Sequence, residues 1–232
     1  MGKRDELRQK QHANTVQQRI IFISAIVGLI IIAGILIIPG MIKARQQAVS
    51  IITPTEFARP RANGRSMGDP NAPVKITEYA DFLCSHCMDF ALEKEPEFVA
   101  KYVETGQVYY TYSPFLLQAD YSSRLAEASF CAMDQGKFWE YHDMIYSNLV
   151  DYTGDPTDDA HLKAYAKNIG LDGDALGKCV SNDTYKQTVA DLTQKGKDAG
   201  VQGTPTFDVN GKLVYQDQLE ATIAEALKAA GK

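Results

Sequence analysis

The segment Val74-Lys-Ile-Thr-Glu-Tyr79 alternates with period two, is rich in β-branched and aromatic residues, and leads into Asp81-Phe-Leu-Cys-Ser-His-Cys87. Beyond the second cysteine the pattern turns helical. A strand that delivers a Cys-x-x-Cys to the start of a helix places the first sulfur where unpaired helix N–H groups and the macrodipole stabilise negative charge. The second sulfur follows nearly one turn later. In that arrangement Cys84 is the attacking and leaving thiolate, and Cys87 is the resolving thiol that closes the intramolecular disulfide. His86, between them, can donate a hydrogen bond or positive charge to the Cys84 sulfur. That favours the reduced, ionised state and makes the dithiol an oxidant; the plainer alternative is an exposed helix residue. A structural zinc site requires four ligands, and no second pair stands at similar spacing, because Cys131 and Cys179 are 48 residues apart. The residues favour a redox dithiol over a zinc or copper site and imply no cofactor.

The rest of the soluble part reads as strand, helix, strand, helical block, hairpin, helix. From Cys84 to about Glu104, Phe90, Ala91, Phe98, Val99 and Tyr102 form an apolar side, with Pro96 expected to kink or break the helix. Val108-Tyr-Tyr-Thr-Tyr112 is a second strand. From Tyr121 to about Ala199 the sequence is helical. Within that block Leu162, Tyr165, Ala166 and Ile169 share one face between a Thr157 N-cap and a Gly170 C-cap signal. His142 falls on the apolar side with Phe138 and Ile145 and reads as a core histidine. Asn210-Gly211 joins Thr206–Val209 to Lys212–Tyr215 as a hairpin, and a final helix covers about Leu219 to Ala230.

Ile20 to Ile38 carries no charge, and extension to Ile42 gives about 23 residues, roughly 35 Å of helix. The run is longer than a signal-peptide core, and no small-x-small cleavage site follows it. An uncleaved signal anchor over 20–42 is expected. Flanking Lys and Arg residues weakly favour residues 1–19 inside. Ser24 and Gly28 have the spacing of a helix-pairing motif, too common in apolar helices to imply a dimer. Residues 43–66, with Pro54, Pro60 and Asn63-Gly64, read as a tether. Residues 1–65 hold ten Lys and Arg against three Asp and Glu, and the remainder holds 14 against 26. An acidic body of this kind argues against nucleic-acid binding.

These residues resemble the DsbA-like thiol-disulfide oxidoreductases, which have a thioredoxin fold carrying an inserted helical domain. The resemblance covers about residues 67–232, with the insert at about 118–200. Ile76-Thr-Glu-Tyr-Ala-Asp-Phe-Leu-Cys84-Ser-His-Cys87 is similar to the family's active-site approach. It implies that Glu78 is the buried acid assisting proton transfer at the resolving cysteine; the strand pattern alone puts Glu78 on a solvent face. Gly203-Thr-Pro-Thr-Phe207 resembles the cis-proline loop. The resemblance implies that Pro205 is cis and that the backbone of Thr204 pairs with an extended polypeptide substrate. Phe130 to Asp143 is similar to the family's insert, in which some members pair a cysteine at Cys131 with one at Cys179. Ser85 departs from the family, whose best-known oxidising members carry proline there, and leaves the potential of the dithiol open.

An even set of four cysteines suits an oxidising compartment. The combined expectation is a membrane-anchored oxidase with residues 43–232 outside the cytoplasmic membrane. Its clients are unfolded, reduced secreted polypeptides, and its reoxidising partner is a quinone-linked membrane enzyme of the DsbB or vitamin-K-epoxide-reductase type. A reductase or isomerase, or a metallochaperone using the same cysteines, are the alternatives.

Overall fold

Alternation in the central strand is only partly that of a half-buried element: β2 (Val74–Ala80) is buried at Val74 and Ile76, and then continuously from Glu78 to Ala80. It is central because strands pair on both of its edges. β3 (Val108–Pro114) runs parallel to it, with Tyr112 opposite Glu78, and β4 (Thr206–Val209) runs antiparallel, with Phe207 opposite Glu78. β1 (Ser66–Met67) and β5 (Lys212–Val214) complete a five-stranded sheet in the order β1-β3-β2-β4-β5. The computed structural model describes residues 23–29, 32–33, 51–117, 119–149 and 155–232.

The parallel β2–β3 pair requires a crossover, supplied by α1 from Ser85 to Val103. This helix is α-helical at Ser85–Asp89 and Glu95–Phe98 and widens to π-turns at Phe90–Lys94 and Val99–Val103. Pro96 therefore does not break it. The proline lacks an N–H and its ring crowds the preceding turn, and the backbone accommodates this by shifting bonds to i−5, as in Glu95 N–H to Phe90 C=O.

Among the described residues between β3 and β4 stand five helices: α2 (Ala119–Met133), α3 (Phe138–Leu149), α4 (Asp159–Asn168), α5 (Gly173–Ser181) and α6 (Lys186–Asp198). The N-cap of α4 is Asp158, whose carboxylate accepts the His161 N–H. Thr157, expected as the cap, is instead buried and bonded to Asp155. Gly170 ends the helix at φ +77, as its position suggests. After β4, Asn210 and Gly211 at φ 53 and 91 make the two-residue hairpin turn, and α7 (Gln216–Ala229) closes the fold. One continuous core of apolar and aromatic side chains lies under the sheet and runs into the insert.

The chain divides into residues 1–50 and 51–232. In the first unit residues 23–29 and 32–33 are helical. The signal anchor expected over 20–42 lies largely outside the described residues, and among the described residues no helix is long and apolar enough to cross a membrane. The tether is shorter than the sequence suggests, because residues 51–66 belong to the folded unit as a strap. Ile52 exchanges two 2.8 Å hydrogen bonds through its backbone with the Asn148 side-chain amide, the Tyr112 N–H donates to Arg65 C=O, and the Arg59 side chain, 11% exposed, is largely enclosed by the domain. Proline-rich composition signalled a linker; partners far away in sequence order it. Gly68 (φ +96) turns the strap from β1 towards β2 so close to β3 that a Cβ would stand 2.6 Å from Val108 C=O.

Candidate active site

β2 ends at Ala80, and Asp81 shapes the passage into α1. Its buried carboxylate accepts the N–H groups of Leu83 (2.8 Å) and Leu117 (2.7 Å) and the Ser122 hydroxyl (2.9 Å), while its C=O accepts the Cys84 N–H. One side chain thereby ties the approach loop, the end of β3 and the insert together. Cys84 is the N-cap of α1 in extended conformation, half-buried, and Cys87 lies fully buried in the first turn; both are free thiols.

The fold treats the two sulfurs oppositely. As a thiol, Cys84 donates to the C=O of Thr204 at 3.3 Å. As a thiolate it can only accept, and the donors are in place: the Cys87 thiol first, then the Thr204 hydroxyl and the backbone N–H groups of Cys87 and His86. Against the cost of burial they lower Cys84 from the ordinary thiol range to about 5. The Thr204 hydroxyl is buried without a partner in the thiol form, so its proton is available to the ionised sulfur. Cys87 is pushed upward, by burial first and then by its hydrogen bond with Cys84 and the proximity of Glu78.

Glu78 is buried, not on a solvent face, because Cys84, Cys87 and Glu95 of α1 and Arg59 of the strap stand near its carboxyl. Its Oε2 accepts the Tyr110 hydroxyl. Burial, followed by the charge of Glu95, raises it to about 8, against the hydrogen bond from Tyr110 and the charge of Arg59. At neutral pH this carboxyl holds a proton beside the resolving thiol.

The Thr204–Pro205 peptide is cis. Thr206, next along, pairs with Tyr79 of β2, which brings the loop against the head of α1. An open groove beside it is lined by His86, Thr204, Pro205, Tyr215, Gln216 and Asp217. His86 is the residue whose place differs most from expectation. Its ring is exposed, with Nδ1 4.0 Å from Asp89, a surface pair of little energetic weight. What His86 directs at the Cys84 sulfur is its backbone N–H.

Cys131 and Cys179 are joined in a disulfide between α2 and α5. His142 is buried in an aromatic cage of Phe82, Tyr112 and Tyr146, with Nδ1 2.9 Å from Asp143. Among the described residues, Glu95, His142 and Asp143 are the group that could gather round a cation. The cation they hold is the Arg59 guanidinium, 2.7 Å from both Glu95 and Asp143. Sequence reasoning missed Tyr110, Glu95 and Arg59. Tyr110 and Glu95 left a trace in the pattern: Glu95 shares its helix face with Ala91, Phe98 and Tyr102, an acid in an apolar stripe. Arg59 left none, because it reaches the site from a segment that reads as linker.

The thioredoxin family model matches residues 61–229. A probable disulfide bond formation protein D from Bacillus cereus is 28% identical over 158 residues, which are 66% of this chain and 73% of that protein. A Na(+)/H(+) antiporter NhaA 3 from Salinispora tropica is 29% identical over 193 residues, and this chain spans 28% of its length. Among solved structures, oxidised BdbD from Bacillus subtilis superposes with a TM-score of 0.66 at 21% identity, over 76% of this chain and 100% of the other.

Proposed function

The chain belongs to the thioredoxin family, and on that premise we propose that it is a protein disulfide oxidoreductase that introduces disulfides into reduced polypeptides outside the cytoplasmic membrane. The observation that carries this reading is the asymmetry of the dithiol, with Cys84 held as a thiolate at neutral pH and Cys87 held as a thiol. The name printed for the Bacillus cereus relative agrees with it. The antiporter relative shares only the part of its length that this chain spans, and its transport activity is not carried over.

In the oxidised enzyme a substrate thiolate attacks Cys84 Sγ. A substrate–Cys84 bond forms as the Cys84–Cys87 bond breaks, and the electron pair leaves on Cys87, which takes a proton from Glu78. A second substrate thiolate then attacks the substrate sulfur of the mixed disulfide. The substrate disulfide forms, and Cys84 departs as a thiolate, a good leaving group because the donors around it are already placed. Thr204 presents its backbone to an extended chain lying in the groove. The substrate is oxidised by two electrons and the dithiol reduced by two, so the cycle requires reoxidation. A quinone-linked membrane partner of the DsbB or vitamin-K-epoxide-reductase type suits a protein anchored through residues 20–42, with the N-terminus inside.

Mutants of the full chain in intact cells test both parts. Cys87→Ala is expected to accumulate mixed disulfides through Cys84 that a membrane-impermeant reductant releases, and Cys84→Ala to form none. Equal adducts from Cys84→Ala would sink the mechanism. Adducts released only after lysis would sink the placement.

A further inference from the structure

Glu78 is set in a nearly closed environment. Tyr110 and Tyr112 face it from β3, Cys84, Cys87 and Glu95 from the α1 side, Tyr146 from α3, and Arg59 from the strap. Two of these, Glu95 and Arg59, carry opposite charges and are bound to one another. Arg59 donates to both oxygens of Glu95, at 2.7 and 3.3 Å, and to Asp143 at 2.7 Å; Glu95 is 1% exposed. The guanidinium also stands over the Phe57 ring at 3.9 Å and the Trp139 ring at 4.7 Å. Trp139 stacks on Tyr110 with centroids 5.9 Å apart, and the Tyr110 hydroxyl is the donor to Glu78. A run of contacts therefore leads from the strap to the carboxyl beside Cys87. Arg59 lies before the residues that match the family model, which begin at 61.

We propose that the Arg59–Glu95 ion pair is a positioning element of the redox centre, through which the strap N-terminal to the thioredoxin fold governs proton transfer at Glu78. The inference rests on the proposed role of Glu78 as proton donor to Cys87. Three features give it force. The pair is sheltered from water, so its field is poorly screened. The two charges act on Glu78 in opposite senses, Glu95 favouring the protonated form and Arg59 the ionised one. The guanidinium is also shared with Asp143, so its position is held by two elements of the domain, α1 and α3, and not by the strap alone. Arg59 and Glu95 touch neither sulfur nor substrate groove; they act through Glu78.

The test is the pH profile of reduction of the oxidised full-length protein by dithiothreitol, with the rate expressed per reductant thiolate. Wild type is expected to lose rate as Glu78 gives up its proton around pH 8. Glu78→Gln should abolish that inflection; if it does not, the proton-donor reading itself fails. Given that result, Glu95→Gln, nearly isosteric and still able to accept from Arg59, should move the inflection down by roughly one pH unit. Arg59→Gln should move it up, and Arg59→Lys should restore it. An inflection that disappears in Glu78→Gln but stays in place in both charge-removing variants overturns the inference and leaves the proton-donor reading standing. Arg59→Gln can loosen the strap, so the decision rests on Glu95→Gln, whose fold is checked by an unchanged thermal midpoint of the oxidised form.

Discussion

The cysteines at the head of α1 are three residues apart, free, and differ in burial, with Cys84 half-open beside Thr204 and Cys87 enclosed. Those of the insert are 48 residues apart and joined, clamping α2 to α5. The same functional group serves two purposes because of what surrounds it and how much chain it closes. A bond across three residues restrains little of the unfolded chain, so its balance is set by which sulfur is stabilised as an anion. A bond across 48 residues removes on the order of 4 kcal/mol of loop entropy from the unfolded state, and its value is mechanical. Reactivity and stapling are therefore separable in this chain.

The largest expected effect that sharpens this contrast is on stability. Cys131→Ala with Cys179→Ala should lower unfolding free energy by about 2–5 kcal/mol in denaturant titration while leaving disulfide transfer at Cys84 intact. Loss of transfer in a variant that is still folded would break the separation.

Next comes the pH dependence of the exchanging pair. Iodoacetamide should alkylate reduced Cys84 with a midpoint of about 5, whereas an unfolded thiol follows about 8.5. Because the folded-state value is depressed, the reduced fold binds fewer protons than the unfolded chain between those limits. Its thiolate contribution to stability is complete above about pH 8.5 and falls away as pH drops through about 5. An alkylation midpoint near the unfolded value would place the two cysteine pairs on the same footing.

The smallest effect concerns His86. Since the backbone N–H, and not the exposed ring, faces the sulfur, His86→Ala should move the Cys84 alkylation midpoint by under about one unit. A larger displacement would show that the imidazole, and not the helix terminus, separates this pair from the one in the insert.

Much of the molecule is local, and local order is what a single sequence carries. Period-two alternation placed β2, β3 read as a second strand, Asn210-Gly211 placed the hairpin that begins with β4, and the Cys-x-x-Cys after a strand placed the dithiol at the start of α1. The two-residue β1 was not visible, since Ser66 and Met67 are a strand only because Thr111 and Tyr110 stand opposite. Pro96 was legible as a helix disturbance, but not the outcome, because only packing decides whether a helix breaks or widens into π-turns.

The amino-acid order by itself determined which chemistry was available: two thiols one turn apart at a helix head, a proline loop, an acid six residues upstream, and a distant pair of cysteines. Tertiary structure decided how that chemistry is tuned. Burial of Glu78 arises because α1 and the strap bring Glu95, Cys87 and Arg59 against it. Stabilisation of Cys84 draws on Thr204, 120 residues away. The Arg59–Glu95 pair joins a segment that reads as linker to the interior of α1. Proton affinities depend on desolvation and on charges near in space, and neither is a property of neighbours along the chain.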